Sequence, residues 1–134
     1  MALQLSVAAR NARLDAIEST IGTSAKLILF SGSVPANCAA ADPAGTLATL
    51  TLPSDWMNAA SSGSKTLLGT WTGTGSAAGT AASFRIKDNA ATTCHLQGTV
   101  TATGGGGDMT LDNTSIAVSQ TVNVTTFTLT DANA

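Results

Sequence analysis

The chain has 134 residues, a formal net charge of −2, and 10% charged residues. With one His (His95), one Glu (Glu18) and no Tyr, it is poor in the side chains that move protons, ligate metals or grip phosphate. Its basic residues, Arg10, Arg13, Lys26, Lys65, Arg85 and Lys87, form no run, which argues against direct nucleic-acid binding, an interaction that draws on clustered cations and stacked aromatics.

The length fits one β-rich domain over residues 1–134. Much of the 43% apolar content is Ala, with only three Phe and two Trp, so the expectation is a thin core stabilised in part by association with neighbouring chains. The opening residues, MALQLSVAARNARLDAIE, lack the basic leader and apolar stretch of a signal peptide. No segment approaches the ~20 apolar residues of a membrane span. A soluble chain made in a cytoplasm, with no membrane partner, is expected.

Residues about 5–21 predict the one helix. Leu14, Ile17 and Ile21 recur at helical spacing, with Val7 two turns back on the same side. Ser6 suits the N-cap and Gly22 the C-terminal stop. Arg10, Arg13, Asp15 and Glu18 are expected to face solvent or a partner. Strands are predicted from about 26 to 130. Lys26–Phe30 is a short, continuous apolar run, the mark of a strand covered on both faces. Residues 31–45, with Pro35, Pro43 and Gly45, read as a loop, and residues 46–52 as a second strand. Trp56 and Met57 fall outside any clear strand. They read either as a core plug or as an anchor on a partner, since Trp is enriched at interface hot spots, and they are the candidate interface residues.

Residues 65–74 predict a strand with Leu67, Gly69, Trp71 and Gly73 on one face, and the stretch after it a loop or irregular strand. Ala82, Phe84 and Ile86 then alternate with Ser83, Arg85 and Lys87. After a turn at Asp88, Cys94, Leu96, Gly98 and Val100 alternate with His95, Gln97 and Thr99. The two stretches predict an antiparallel hairpin with His95 toward solvent. Gly104–Gly107 reads as a flexible linker and Met109–Leu111 as a short strand. In the last strand, Thr121–Thr130, the apolar phase slips at Thr125-Thr126, which predicts a bulge. About seven strands after one helix give a mainly β fold, an antiparallel β-sandwich or jelly-roll-like domain with one N-terminal α-helix.

The same residues argue against enzymatic chemistry. A nucleophile needs a base and a group to orient it, and the lone His95 sits at a predicted surface position. Asp42, Asp55, Asp88, Asp108, Asp112 and Asp131 sit mostly in turn-like contexts. The run Thr103–Asp108 has four Gly but no following Lys-Ser/Thr pair, as a phosphate loop requires. Cys38 and Cys94 lack zinc-ligand spacing. Cytoplasmic synthesis favours free thiols, and a disulfide formed late, outside the cell, is the alternative. No metal and no cofactor is expected.

The segments ARNARLDAIESTIG, KLILFSGSVPANCAAADPAGTLATLTLPSDWM, FRIKD and HLQGTVTATGGGGDMTLDNTSIAVSQTVNVTTFTLT, in that order, span nearly the whole chain. The chain resembles small structural proteins encoded among the virion-assembly genes of tailed bacteriophages and prophages. The resemblance, with the size and β-rich character, implies a capsid cement or decoration protein that binds the outer shell and stabilises capsomer contacts. Its partner would be the major capsid protein, its own association a dimer or trimer, and its location the virion. A tail, neck or baseplate component is the alternative, and a carbohydrate-binding module the second. The resemblance carries no site residues.

Overall fold

The computed structural model describes residues 3–133. Helix α1 (Val7–Ile21) starts where Ser6 Oγ accepts the Ala9 N–H at 3.2 Å. It stops where Gly22, at φ 92°, turns the chain and returns its N–H to the Glu18 carbonyl at 2.9 Å, a conformation that glycine reaches without steric penalty. Leu14 and Ile21 are buried and Ile17 packs against the core. Val7 does not join them and is 47% exposed. The stripe that anchors the helix therefore lies in its last two turns.

Ten strands follow: β1 (Lys26–Phe30), β2 (Thr46–Thr51), β3 (Ser64–Thr66), β4 (Thr72–Thr74), β5 (Gly79–Thr80), β6 (Ser83–Lys87), β7 (Cys94–Ala102), β8 (Met109–Leu111), β9 (Ser115–Ile116) and β10 (Thr121–Thr130). The main sheet runs β2-β1-β6-β7-β8-β10-β3, with β4 also on β10, while β5 and β9 form a separate pair. Ala48 of β2 bridges to Gly75, just past β4, and the N–H groups of Ser76 and Ala77 reach the Leu47 carbonyl. The sheet thus curls into a half-barrel. The fold is mainly β with one N-terminal helix, consistent with a β-sandwich-like architecture.

The hollow of the sheet is filled by aliphatic side chains and by a chain of stacked rings. Trp56 and Trp71 have centroids 5.8 Å apart, Trp71 and Phe127 5.4 Å, and Phe127 meets Phe84 edge-on at 5.6 Å. Aromatic pairs in this range add to the stabilisation from burial alone. Four large rings in series make the core more substantial than the composition implied.

The predicted hairpin is β6 with β7, antiparallel from Ser83↔Thr99 to Lys87↔Cys94. The predicted bulge is real: the β10–β8 register shifts between Val124 and Thr126. It lets Val122, Val124 and Phe127 all point inward despite their phase slip. Residues 65–74 are not one strand. Gly69, at φ 74°, breaks them into β3 and β4, which pair with opposite ends of β10.

One pairing departs from the antiparallel expectation: β7 and β8 are parallel, with Val100 beside Met109 and Ala102 beside Leu111. Parallel neighbours ordinarily need a crossover of a dozen residues or more. Here residues 103–108 make the return. Gly104 (φ 84°) and Gly106 (φ 82°) take left-handed turns. A Cβ at Gly105 or Gly107 would come within 3.0 Å of Thr101. Gly107 N–H donates to Thr101 Oγ1, and Asp108 accepts both the N–H and the hydroxyl of Thr99, each at 2.9 Å. The glycine run is therefore a folded return, not a flexible linker.

Candidate functional site

Trp56 and Met57, the candidate interface residues, lie inside the protein at 0% and 2% exposure. The Trp56 indole N–H donates to the Gly22 carbonyl at 2.9 Å, and the Met57 N–H to Glu18 Oε1 at 3.1 Å. This corrects the anchor reading: a large ring that packs on Trp71 and bonds to the end of α1 offers no surface to a partner. In a chain with few large side chains, the fold uses both Trp internally.

The polar constellations lie elsewhere, around three lysine and arginine side chains that are buried rather than solvated. Lys65 on β3 is the first. Its Nζ lies 2.8 Å from Asp15 Oδ1, 2.8 Å from Glu18 Oε2 and 2.9 Å from the Asn58 carbonyl, so all three ammonium protons have acceptors. Asp15 also accepts the Ala60 N–H at 2.9 Å. Burial alone would lower the Lys65 pKa, but its hydrogen bonds to Asp15 and Glu18 outweigh that and the net shift is upward. The Lys65 hydrogen bond in turn holds the Asp15 carboxyl below its usual range, with the Ala60 N–H assisting. Glu18 is therefore turned toward β3, while Asp15 bonds Lys65 and keeps about half of its side chain in solvent. Arg10, too, is turned inward, with its guanidinium on the Asp131 carbonyl at 3.2 Å. A groove of about 510 Å³ beside this knot is lined by Asp15, Glu18, Asp55, Met57 and Lys65. A charged, saturated Lys65 has no lone pair with which to act as a nucleophile or base.

The second constellation covers the outer face of β6, where alternation suggested surface positions. Arg85 is 2% exposed. Its guanidinium donates to the carbonyls of Asn37 (3.1 Å) and Ala40 (2.9 Å), to Asp42 Oδ1 (2.9 Å) and to Gln97 Oε1 (3.0 and 3.2 Å). Lys87 Nζ meets Asp42 Oδ2 at 2.8 Å, and Ser83 donates to the Gly32 carbonyl at 2.6 Å. The hydrogen bond from Lys87, followed by that from Arg85, holds Asp42 below its usual range against an opposing effect of burial. The planar five-donor fork of Arg suits several carbonyls on one curved segment. It pins residues 31–45 across the sheet, and Cys38, carried by that segment, lies 2.8 Å from Cys94, sulfur to sulfur.

His95 is half-buried on a shallow apolar groove with Arg13, Ile17 and Leu96, and no carboxylate shares that groove. Among the described residues, no three His, Cys, Asp or Glu side chains gather as metal ligands. The remaining candidate is a surface. Outside the half-barrel, Thr121, Thr125, Thr126, Thr128 and Thr130 of β10 are exposed, with Thr66, Thr72 and Thr74 on the flanking strands. Thr121 pairs with Thr74 and Thr128 with Thr66. Hydroxyl contacts of 2.6–2.8 Å link Thr103, Thr125, Thr110 and Thr126. Apart from buried Lys65, strands β3, β4 and β10 carry no charged residue.

These arrangements define a mainly β protein braced by buried cations paired with partly exposed carboxylates, and presenting a hydroxyl-rich strand face with no exposed Lys or Arg. No family model matches the chain, and neither the comparison with curated proteins nor that with solved structures found a similar one.

Sequence reasoning missed Lys65, Arg85 and Lys87 as internal braces. The available signal was their placement within strands of a chain so sparing of charge, where an unpaired surface role is not the only use for a cation.

Proposed function

We propose that this chain is a structural protein of a tailed-bacteriophage virion, and that it serves as capsid cement on the outer shell. The observation that carries the reading is the face formed by β3, β4 and β10. Its three strands expose no Lys or Arg and are rich in threonine hydroxyls, which can donate and accept hydrogen bonds without the desolvation cost of buried ions; the Asp112 carboxylate accepts from Asn123 of β10 at 3.1 Å. Such a face suits contact with a repetitive protein lattice, where many modest contacts sum by multivalency. The sequence resemblance supports the same reading. So does the internal use of the cations Lys65 and Arg85, which hold α1 and segment 31–45 to the sheet.

In this reading the major capsid protein is the partner, and a symmetric dimer or trimer at a local axis of the shell is the working form. The test is reattachment: the purified chain is mixed with shells stripped of it and with isolated tails. Saturable binding to shells supports cement. Binding to tails alone would move the chain to a tail, neck or baseplate role, and binding to neither would overturn the virion reading.

A further inference from the structure

Segment 31–45 is held over the sheet at points on both sides of Cys38. Gln97 Nε2 donates to the Pro35 carbonyl at 2.8 Å, Arg85 holds the carbonyls of Asn37 and Ala40, and both Arg85 and Lys87 hold Asp42. The backbone flanking Cys38 cannot leave β7 without breaking hydrogen bonds to a buried guanidinium. The two sulfurs, 56 positions apart in sequence, sit 2.8 Å from each other. A disulfide bond is about 2.05 Å long, so closure asks for a movement of less than about 1 Å. Both thiols are partly exposed, within reach of a small oxidant.

We propose that Cys38 and Cys94 are a built disulfide site, which closes when the protein meets a small-molecule disulfide and then fastens segment 31–45 covalently to β7. Either sulfur can make the first attack. When Cys38 does, its thiolate attacks one sulfur of the oxidant, the oxidant's S–S bond breaks, and one thiolate leaves with the electron pair. Cys94 then gives up its proton and attacks the Cys38 sulfur of the mixed disulfide, expelling the second thiolate. The protein loses two electrons and two protons, and one oxidant disulfide becomes two thiols. Burial first, and then the hydrogen bond to Cys38, push the Cys94 thiol up to about 12, while Arg85 and Lys87 pull it the other way.

The experiment treats the purified full chain with oxidised glutathione or with dithiothreitol, alkylates the remaining thiols, and reads intact mass and thermal melting. The expected oxidised product is a single chain lighter by two hydrogens, with no alkyl label and no bound glutathione. Its melting temperature should rise by roughly 5–15 °C over the reduced form, the range for a bridge that closes a long loop. Cys38→Ser should show no redox-dependent shift. Two alkylated cysteines after exhaustive oxidation, a glutathione on each sulfur, or cross-linked dimers would overturn the proposal, as would an equal shift in Cys38→Ser.

Discussion

Trp71 donates its indole N–H to the backbone carbonyl of Trp56 at 3.1 Å, while the two rings pack with centroids 5.8 Å apart. One residue thus fixes both the backbone and the side chain of the other. The pair joins the end of α1, through Gly22, to β10, through Phe127.

Trp56→Ala is accordingly a stability variant. Loss of a fully buried indole in a packed core costs about 3–5 kcal/mol. Chemical denaturation of the purified variant measures it. A loss below about 1 kcal/mol would contradict the core role of Trp56.

Arg85→Met should free segment 31–45. It leaves the carbonyls of Asn37 and Ala40 and the Asp42 carboxylate without their guanidinium. Leaving these acceptors without their donor costs about 1–3 kcal/mol, since Asp42 keeps Lys87 and part of its water. Limited proteolysis should cut the variant within residues 31–45 at protease levels that spare the wild type. An unchanged cleavage pattern would show that the segment is held by other contacts.

Stability should form a plateau in pH with a shoulder at each end. Asp15 and Asp42 have folded pKa values below the reference 3.8. Their contribution is present above that reference and is lost as pH falls through the lower folded values. Lys65 has a folded pKa above the reference 10.5, so its contribution is complete below 10.5 and is lost as pH rises through the raised value. Urea midpoints across the pH range should fall at both extremes. In Lys65→Met the alkaline shoulder should shrink.

Gly107→Ala should disturb the parallel return. Its Cβ would meet the Thr101 backbone N at 2.9 Å, and backbone cannot yield as a flexible side chain can. A cost of about 1–3 kcal/mol is expected, as for other overpacked sites. Thermal melting of this variant, beside the wild type, checks it.

What was legible in the sequence was local. Ser6, Leu14, Ile17, Ile21 and Gly22 specify α1 within a few turns of chain. The alternation around Phe84 and Ile86 marks β6, and the slip at Thr125-Thr126 marks the bulge of β10, because side chains on a strand must alternate. What escaped depended on distant partners. Lys65 looks like a surface lysine until Asp15, 50 positions earlier, and Glu18 are folded against it. Arg85 looks outward until segment 31–45 crosses over it. Four consecutive glycines look flexible, and only the pairing of Val100 with Met109 reveals why a side chain is excluded there. The threonine face, too, exists only once β3, β4 and β10 are brought side by side.

If that face docks on a shell, a charge placed on it should weaken attachment without unfolding the protein. Thr128 is exposed on β10. Thr128→Lys should melt within a few degrees of wild type and lose about tenfold or more in affinity for stripped shells, equivalent to about 1.4 kcal/mol. Unchanged affinity would place the contact on another surface.

The most direct test of the cement role is a cryo-EM reconstruction of the intact particle. A cement protein should appear as density for this half-barrel repeated over the outside of the capsid, with the strand face of Thr121–Thr130 turned toward the shell. Density for the chain confined to the tail or neck, with a bare shell, would contradict it.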